Sequence, residues 1–434
     1  MIGVALRNAE FRKLWLSQVV SQAGDWFNRI AVISLLSELA GTEAAVGLGL
    51  SFALEMAVRM LPMAVLGPIA GPLADRLPRQ LLLVGGDLLR SVVVLGFLLI
   101  DGPEDVALLY ALLFTQMGLG IFFDAARQAT LPNTVPAHEI HEAIALSSVT
   151  WSTMLSVGAL LGGAAIGPLG LSGVFIVDAG TYMVSALLIA TAKLPPTPKQ
   201  EEPLRWQELL TLRDLRRGFA HARERGIARA LTTKGFWGPA GGFLICLSLL
   251  ATERFGSPAA DEGASAARTG VALGWLLFAR GLGTAFGPIL ARRFHGTDLG
   301  HLLTQIRWGF VIAAISYALL PLAPSLPAAV ALVAVGHLGG GALWVASTSF
   351  WQRTVDDRFR GRAHALDFFG MTVSFASFGL VAGAVRDWTG STDVALWVSA
   401  GLTLASGLLW WRFVRPVVER IRHREGKVPG AKIQ

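Results

Sequence analysis

Asp25 and Arg29 stand four residues apart inside one mostly apolar run, and Glu55 and Arg59 stand four apart inside the next. In a helix that spacing puts each acid and base on one face. Ionisable side chains in such surroundings cost roughly 2.5–3.5 kcal/mol each on insertion scales, so each needs a partner, water or a task. One reading is two permanent ion pairs that fix helix packing. The other is proton exchange: desolvation favours the protonated form of a carboxyl group, a nearby arginine favours the ionised form, and a change in access to water shifts the balance. At 1.5 Å per residue, Asp25 lies about 16 Å into its run and Glu55 about 12 Å from the opposite end of the next, which places both acids near one depth.

Other ionisable residues fall inside apolar runs. Asp87 with Arg90 reads as structural, and Asp178 and Arg307 read as packing partners or interfacial groups. His337 titrates near neutral pH in water, yet it sits beside Gly336, Gly339, Gly340 and Gly341, where a packing role is the simpler one. Trp26, Phe27, Phe52, Phe122, Phe123, Trp344, Phe368 and Phe369 offer rings for a hydrophobic or amphipathic ligand, although rings at helical spacing more often pack or meet lipid. No Walker sequence, nucleophile elbow or cysteine–histidine cluster occurs. The expectation is therefore no enzyme, no cofactor and no metal.

The elements that must hold these residues follow from composition. Of 434 residues, 53% are hydrophobic and 15% charged, a balance suited to an all-α polytopic membrane protein. Runs of about twenty apolar residues are long enough for spanning helices and too long for barrel strands. Twelve spans are expected: 14–39, 47–71, 81–101, 105–125, 143–166, 170–192, 235–251, 270–291, 302–321, 327–350, 364–384 and 393–415. The seventh, with Gly238, Pro239, Gly241 and Gly242, is expected to be bent or to start irregularly. The first run is too long for the apolar core of a cleavable signal peptide.

With the N-terminus on the cytoplasmic side, Lys and Arg concentrate in the inner segments, and the outer loops keep only Arg254, Arg268 and Arg386. The positive-inside rule then puts both termini in the cytoplasm. It also accounts for the net charge of +7 without a nucleic-acid partner. Cys246, the single cysteine, excludes a disulfide within one chain.

The expected domains are a six-helix bundle over 1–192, a linker over 193–234 with a basic amphipathic helix, a second six-helix bundle over 235–415 and a basic tail over 416–434. "GPI" at 67–69 recurs at 287–289, "TV" at 134–135 recurs at 354–355, and "A-x-A-L" at 143–146 recurs at 363–366. The shared offset marks the halves as parallel copies.

Between the second and third spans the chain reads "GPLADRLPRQ". Gly71, Asp75, Arg76 and Arg79 match the G-x-x-x-D-R-x-G-R-[RK] motif of the major facilitator superfamily, with Pro78 and Gln80 departing from it. The chain resembles that superfamily over nearly its whole length. "FRKLWLSQVVSQAGDW" at 11–26, "DLLR" at 87–90 and "ARQATLPNTVPAHEIHEA" at 126–143, echoed by "RFRGRAHAL" at 358–366, resemble its enterobactin-exporter and macrolide-efflux branch.

The resemblance implies two pseudo-symmetric bundles, a central cavity lined by spans one, two, four, five, seven, eight, ten and eleven, and alternating access. It places Asp25, Arg29, Glu55, Arg59, Arg280, His337 and Asp367 toward that cavity. It makes Asp75, with Arg127 as its expected partner and Arg362 near the approaching helix end, a cytoplasmic catch, and Asp367, one turn into its helix, belongs first to this gate.

The implied function is proton-coupled efflux of a small amphipathic compound by a monomer in a bacterial inner membrane. The implied partners are a small-molecule substrate, protons and the lipid bilayer. Two alternatives stay open: a uniporter or flippase-like carrier with purely structural acids, and a non-transporting sensor or scaffold.

Overall fold

The computed structural model describes residues 2–39, 47–196, 229, 232–256, 262–296, 298–355 and 357–425, without the side chains of 68, 262–264, 295, 357–366 and 420–425. All regular structure among them is helical, as an apolar chain in lipid requires, since a helix satisfies its backbone polar groups internally. The helices are α1 (Ile2–Arg7), α2 (Ala9–Leu39), α3 (Leu48–Ala74), α4 (Arg79–Leu95), α5 (Val106–Thr130), α6 (Ile140–Thr153), α7 (Ala159–Ala190), α8 (Thr233–Phe236), α9 (Ala240–Leu250), α10 (Glu262–His295), α11 (Leu299–Leu319), α12 (Leu326–Thr354), α13 (Asp357–Thr389) and α14 (Thr392–Glu425).

Ten helical segments among the described residues are long and apolar enough to cross a membrane. One of them, Ala137–Ala190, takes in both the fifth and sixth expected spans. Gly170, at φ 66 and two residues after Pro168, breaks the helix between them, a backbone conformation open mainly to glycine. The first expected span coincides with α2, which is not among the ten because Gln18, Gln22, Asp25, Asn28 and Arg29 lower its hydropathy. The seventh starts as the four-residue α8, turns through Trp237, Gly238 and Pro239 and resumes as α9. The basic linker segment at 197–228 and 230–231 and the tail from 426 lie outside the described residues.

The described residues pack as two units: those of Met1–Leu210 with Leu247–Phe278, and those of Thr211–Cys246 with Ala279–Gln434. In the first, α2 runs along α7, α4 packs on both α5 and α7, and α3 lies along α5. In the second, α11 packs on α12 and α14, and α13 on α8 and α14.

Small residues set the closest approaches. A Cβ on Gly309 of α11 would lie 2.6 Å from the carbonyl oxygen of Gly339 and 2.8 Å from Leu343 Cβ on α12. Gly309→Ala must therefore push two backbones apart. We expect a loss of about 1–3 kcal/mol, the usual range for overpacking, measured by unfolding in detergent, and a neutral result would contradict this packing.

Candidate functional site

The first unit buries a polar cluster where α2, α4, α5 and α7 meet. Gly24 lets α2 sit against α7: a Cβ there would fall 2.3 Å from Asp178 Oδ1. Next along α2, Asp25 accepts a hydrogen bond from the Tyr182 hydroxyl, which itself accepts one from Gln116 Nε2 at 3.1 Å. The Arg90 guanidinium lies 4.4 Å from the ring centres of both Tyr182 and Phe123 and donates to Asp87. Asp87 also accepts from Ser185 Oγ at 2.5 Å.

Asp25 is thus tied to a phenol from the sixth expected span, not to Arg29. The guanidinium of Arg29 sits 5.4 Å from the Trp26 ring centre. The second pair is local: Arg59 Nε donates to Glu55 Oε1 at 2.6 Å, and Glu55 is buried. Phe52 and Phe123 are buried inside the unit, while Trp26, Phe27 and Phe122 are half-buried, Trp26 against Gly158 and Phe27 against Gly162.

At the end of the unit that carries residues 71–80, Asp75 pairs with Arg79 at 3.5 Å. Arg127, the partner expected from sequence, instead donates to Gln18 and Ser147, both at 2.9 Å, and pairs with Asp124 at 3.3 Å. The reason is reach: Arg79 is one helical turn from Asp75, whereas Arg127 is engaged by its own helix and by α2 and α6. Arg127, Gln18 and Ser147 help line a cavity of about 410 Å³ together with Trp151 and Ser152.

Arg79 also donates to the carbonyl of Ala129 at 2.8 Å, near the end of α5. Gln80 donates to the carbonyls of Ile189, Ala190 and Ala192, closing the end of α7. Thus the residue that departs from the basic end of the motif serves as a cap. Lys13 adds a bond to Thr191 O at 2.7 Å, and the backbone N–H of Lys193 holds the Glu10 carboxyl below its usual range, with Lys13 acting the same way. Arg76 is half-buried, and among the described residues no group from outside its own stretch of helix lies within 4 Å of where a Gly71 Cβ would sit. The side chain of Arg362 lies outside the described residues.

In the second unit Lys234 pairs with Asp367, their side chains 1% and 2% exposed. The ammonium lies 4.6 Å from the Trp344 ring centre and 5.3 Å from that of Phe368, and the two rings meet edge to face. Sequence reading put Lys234 in the polar linker. The irregular start of the seventh span draws it inside. Tyr317 Oη and His337 Nδ1 are 3.2 Å apart, and Arg280 is half-buried. Phe369 is 47% exposed.

A family model described as the Major Facilitator Superfamily matches residues 14–257, more than half of the chain. The chain belongs to the major facilitator superfamily. It is 31% identical over 176 residues to the "Uncharacterized MFS-type transporter YfiS" of Bacillus subtilis (41% of this chain, 40% of that one). It is 34% identical over 154 residues to the "Putative bacilysin exporter BacE" of Bacillus amyloliquefaciens (35% and 37%). These matches thus span about two fifths of each relative.

Its fold is shared with the nucleoside transporter NupG in its D323A form (TM-score 0.67, 13% identity, 92% of this chain and 99% of that one). It is shared also with a bacterial homologue of the iron transporter ferroportin in an inward-facing state (0.61, 16%, 93% and 98%).

Within this major facilitator fold, sequence reasoning missed Tyr182, Gln116, Ser185 and Lys234. For Tyr182 a signal existed: it is one of three tyrosines in the chain and follows Asp178 by four residues inside an apolar run. Among the described residues no group of three or more His, Cys, Asp or Glu is placed to hold a metal ion.

Proposed function

We propose that this chain is a secondary transporter that exports a small amphipathic or hydrophobic compound in exchange for protons by alternating access. The observation that carries the reading is the pair of acids on neighbouring helices, half-buried Asp25 held by the neutral Tyr182 hydroxyl and buried Glu55 by Arg59. A carboxyl group whose partner is a phenol exchanges a proton without leaving a buried cation unmatched, so Asp25 is the first carrier and Glu55 the second. The name of BacE supports the outward direction.

In this reading the 71–80 end faces the cytoplasm of a bacterium, the halves 1–192 and 235–415 alternate between inward and outward access, and the protein works as a monomer. Asp75 and Arg79, with Arg76, Arg127, Arg362 and Asp367, belong to the gate at that end. Arg29, Arg59, Arg280, His337 and the rings of Trp26, Phe27, Phe122, Trp344 and Phe368 face the substrate path.

The test is proton flux in liposomes with an internal pH dye, challenged with macrolides, catecholate siderophores and lysophospholipids. One compound class should drive proton movement in wild type, and Asp25→Asn should reduce it to the leak of empty liposomes, with Glu55→Gln lowering it as well. Transport of a compound without proton movement, or unchanged flux in both variants, would reject the assignment.

A further inference from the structure

Asp25, Glu55, Asp87 and Asp178 are acids carried well inside α2, α3, α4 and α7 of the first unit, one on each helix. Three have strong donors. Arg59 serves Glu55, Arg90 and Ser185 serve Asp87, and the Tyr182 hydroxyl serves Asp25. Asp178 is 0% exposed, and among the described residues no cation pairs with it. Among the described residues its Oδ1 has one hydrogen-bond partner, the Thr181 hydroxyl at 3.4 Å, and that hydroxyl already donates to the Asp178 backbone carbonyl at 2.7 Å. Its Oδ2 has no hydrogen-bond partner among the described residues.

The charges that reach Asp178 come from Asp25 on α2, Arg90 on α4 and Arg59 on α3. Both arginines are committed to carboxylates of their own, and Asp25 repels a second negative charge. Gly24 faces the same carboxyl group: a Cβ there would fall 2.1 Å from the Thr181 hydroxyl oxygen and 2.3 Å from Asp178 Oδ1, so there is no room even for a methyl group.

Magnitudes decide the ionisation. An unpaired carboxylate sealed from water costs several kcal/mol even after the protein relaxes. A neutral carboxyl group with one unmet hydrogen bond costs about 1–3 kcal/mol. The neutral form wins by a clear margin.

We propose that Asp178, on the sixth span, is a proton-binding site that is occupied in the conformation described here. Release would break the Oδ2–H bond, leave the electron pair on the carboxylate and hand the proton to water, which requires α2 and α7 to part around Gly24. The site does not depend on the transport reading. Only its use in coupling rests on it, and the following experiment needs no substrate.

Infrared spectra of the purified protein at neutral pH should show the C=O stretch of a protonated carboxyl group, shifted in deuterium oxide. The component of that band contributed by Asp178 should disappear in Asp178→Asn and remain in Asp25→Asn and Glu55→Gln. If Asp178→Asn does not fold, Thr181→Val provides the second reading: it retains the acid and removes its hydroxyl neighbour, so the band should persist at a displaced frequency. A wild-type spectrum without the band, a band left unchanged by Asp178→Asn, or a band unmoved by Thr181→Val would overturn the proposal.

Discussion

Replacing Lys234 with alanine should destabilise the protein by about 3–5 kcal/mol, the cost of leaving one member of a buried ion pair uncompensated. The size follows from the surroundings. Asp367 is buried, Lys234 is its bonded cation, and the ammonium also lies against Trp344 and Phe368, so truncation removes the charge partner and the ring contacts together. Unfolding in detergent measures the loss. Adding Asp367→Asn to Lys234→Ala should recover part of it, because the stranded charge then disappears. A loss below about 1 kcal/mol, the range of an exposed pair, would show that water reaches this pair.

Arg90→Leu should have an effect of the same order, about 3–5 kcal/mol, and should spread further. Arg90 holds Asp87 and lies over Tyr182 and Phe123, so its removal strands a fully buried carboxylate and loosens the phenol that serves Asp25. Arg90→Lys retains the charge without the flat guanidinium that lies over two rings, and should fall between wild type and Arg90→Leu. Asp87→Asn placed on Arg90→Leu should restore stability in part. A fully additive double variant would mean that the two residues do not act as a pair.

The class of fold was legible in the sequence because it depends on run length and period. Twenty apolar residues in lipid leave the backbone little choice but a helix, and the offset repeats and the Gly71–Arg79 motif identified the superfamily. Four-residue spacing likewise anticipated Glu55 with Arg59, a contact within one helix turn. The cavity rings were less legible. Periodicity gives a ring a face of its helix without saying what that face meets, and Phe52 and Phe123 proved to be buried within their unit.

Contacts between helices required the tertiary structure. Asp25 had a cation four residues away and yet bonds to Tyr182, 157 positions along the chain, because Gly24 lets α7 pack closely against α2 beside it. Asp75 chose the near arginine over the expected far one, since Arg127 was already satisfied by Gln18, Ser147 and Asp124. Lys234 looked like linker because hydropathy treats a lysine as exposed, and only an irregular helix start meeting a carboxylate and two rings could bury it. Residue types and helical period thus determined which groups this chain carries into the membrane, while the rotation and closeness of neighbouring helices decided which of them are paired and which one, Asp178, is left to hold a proton.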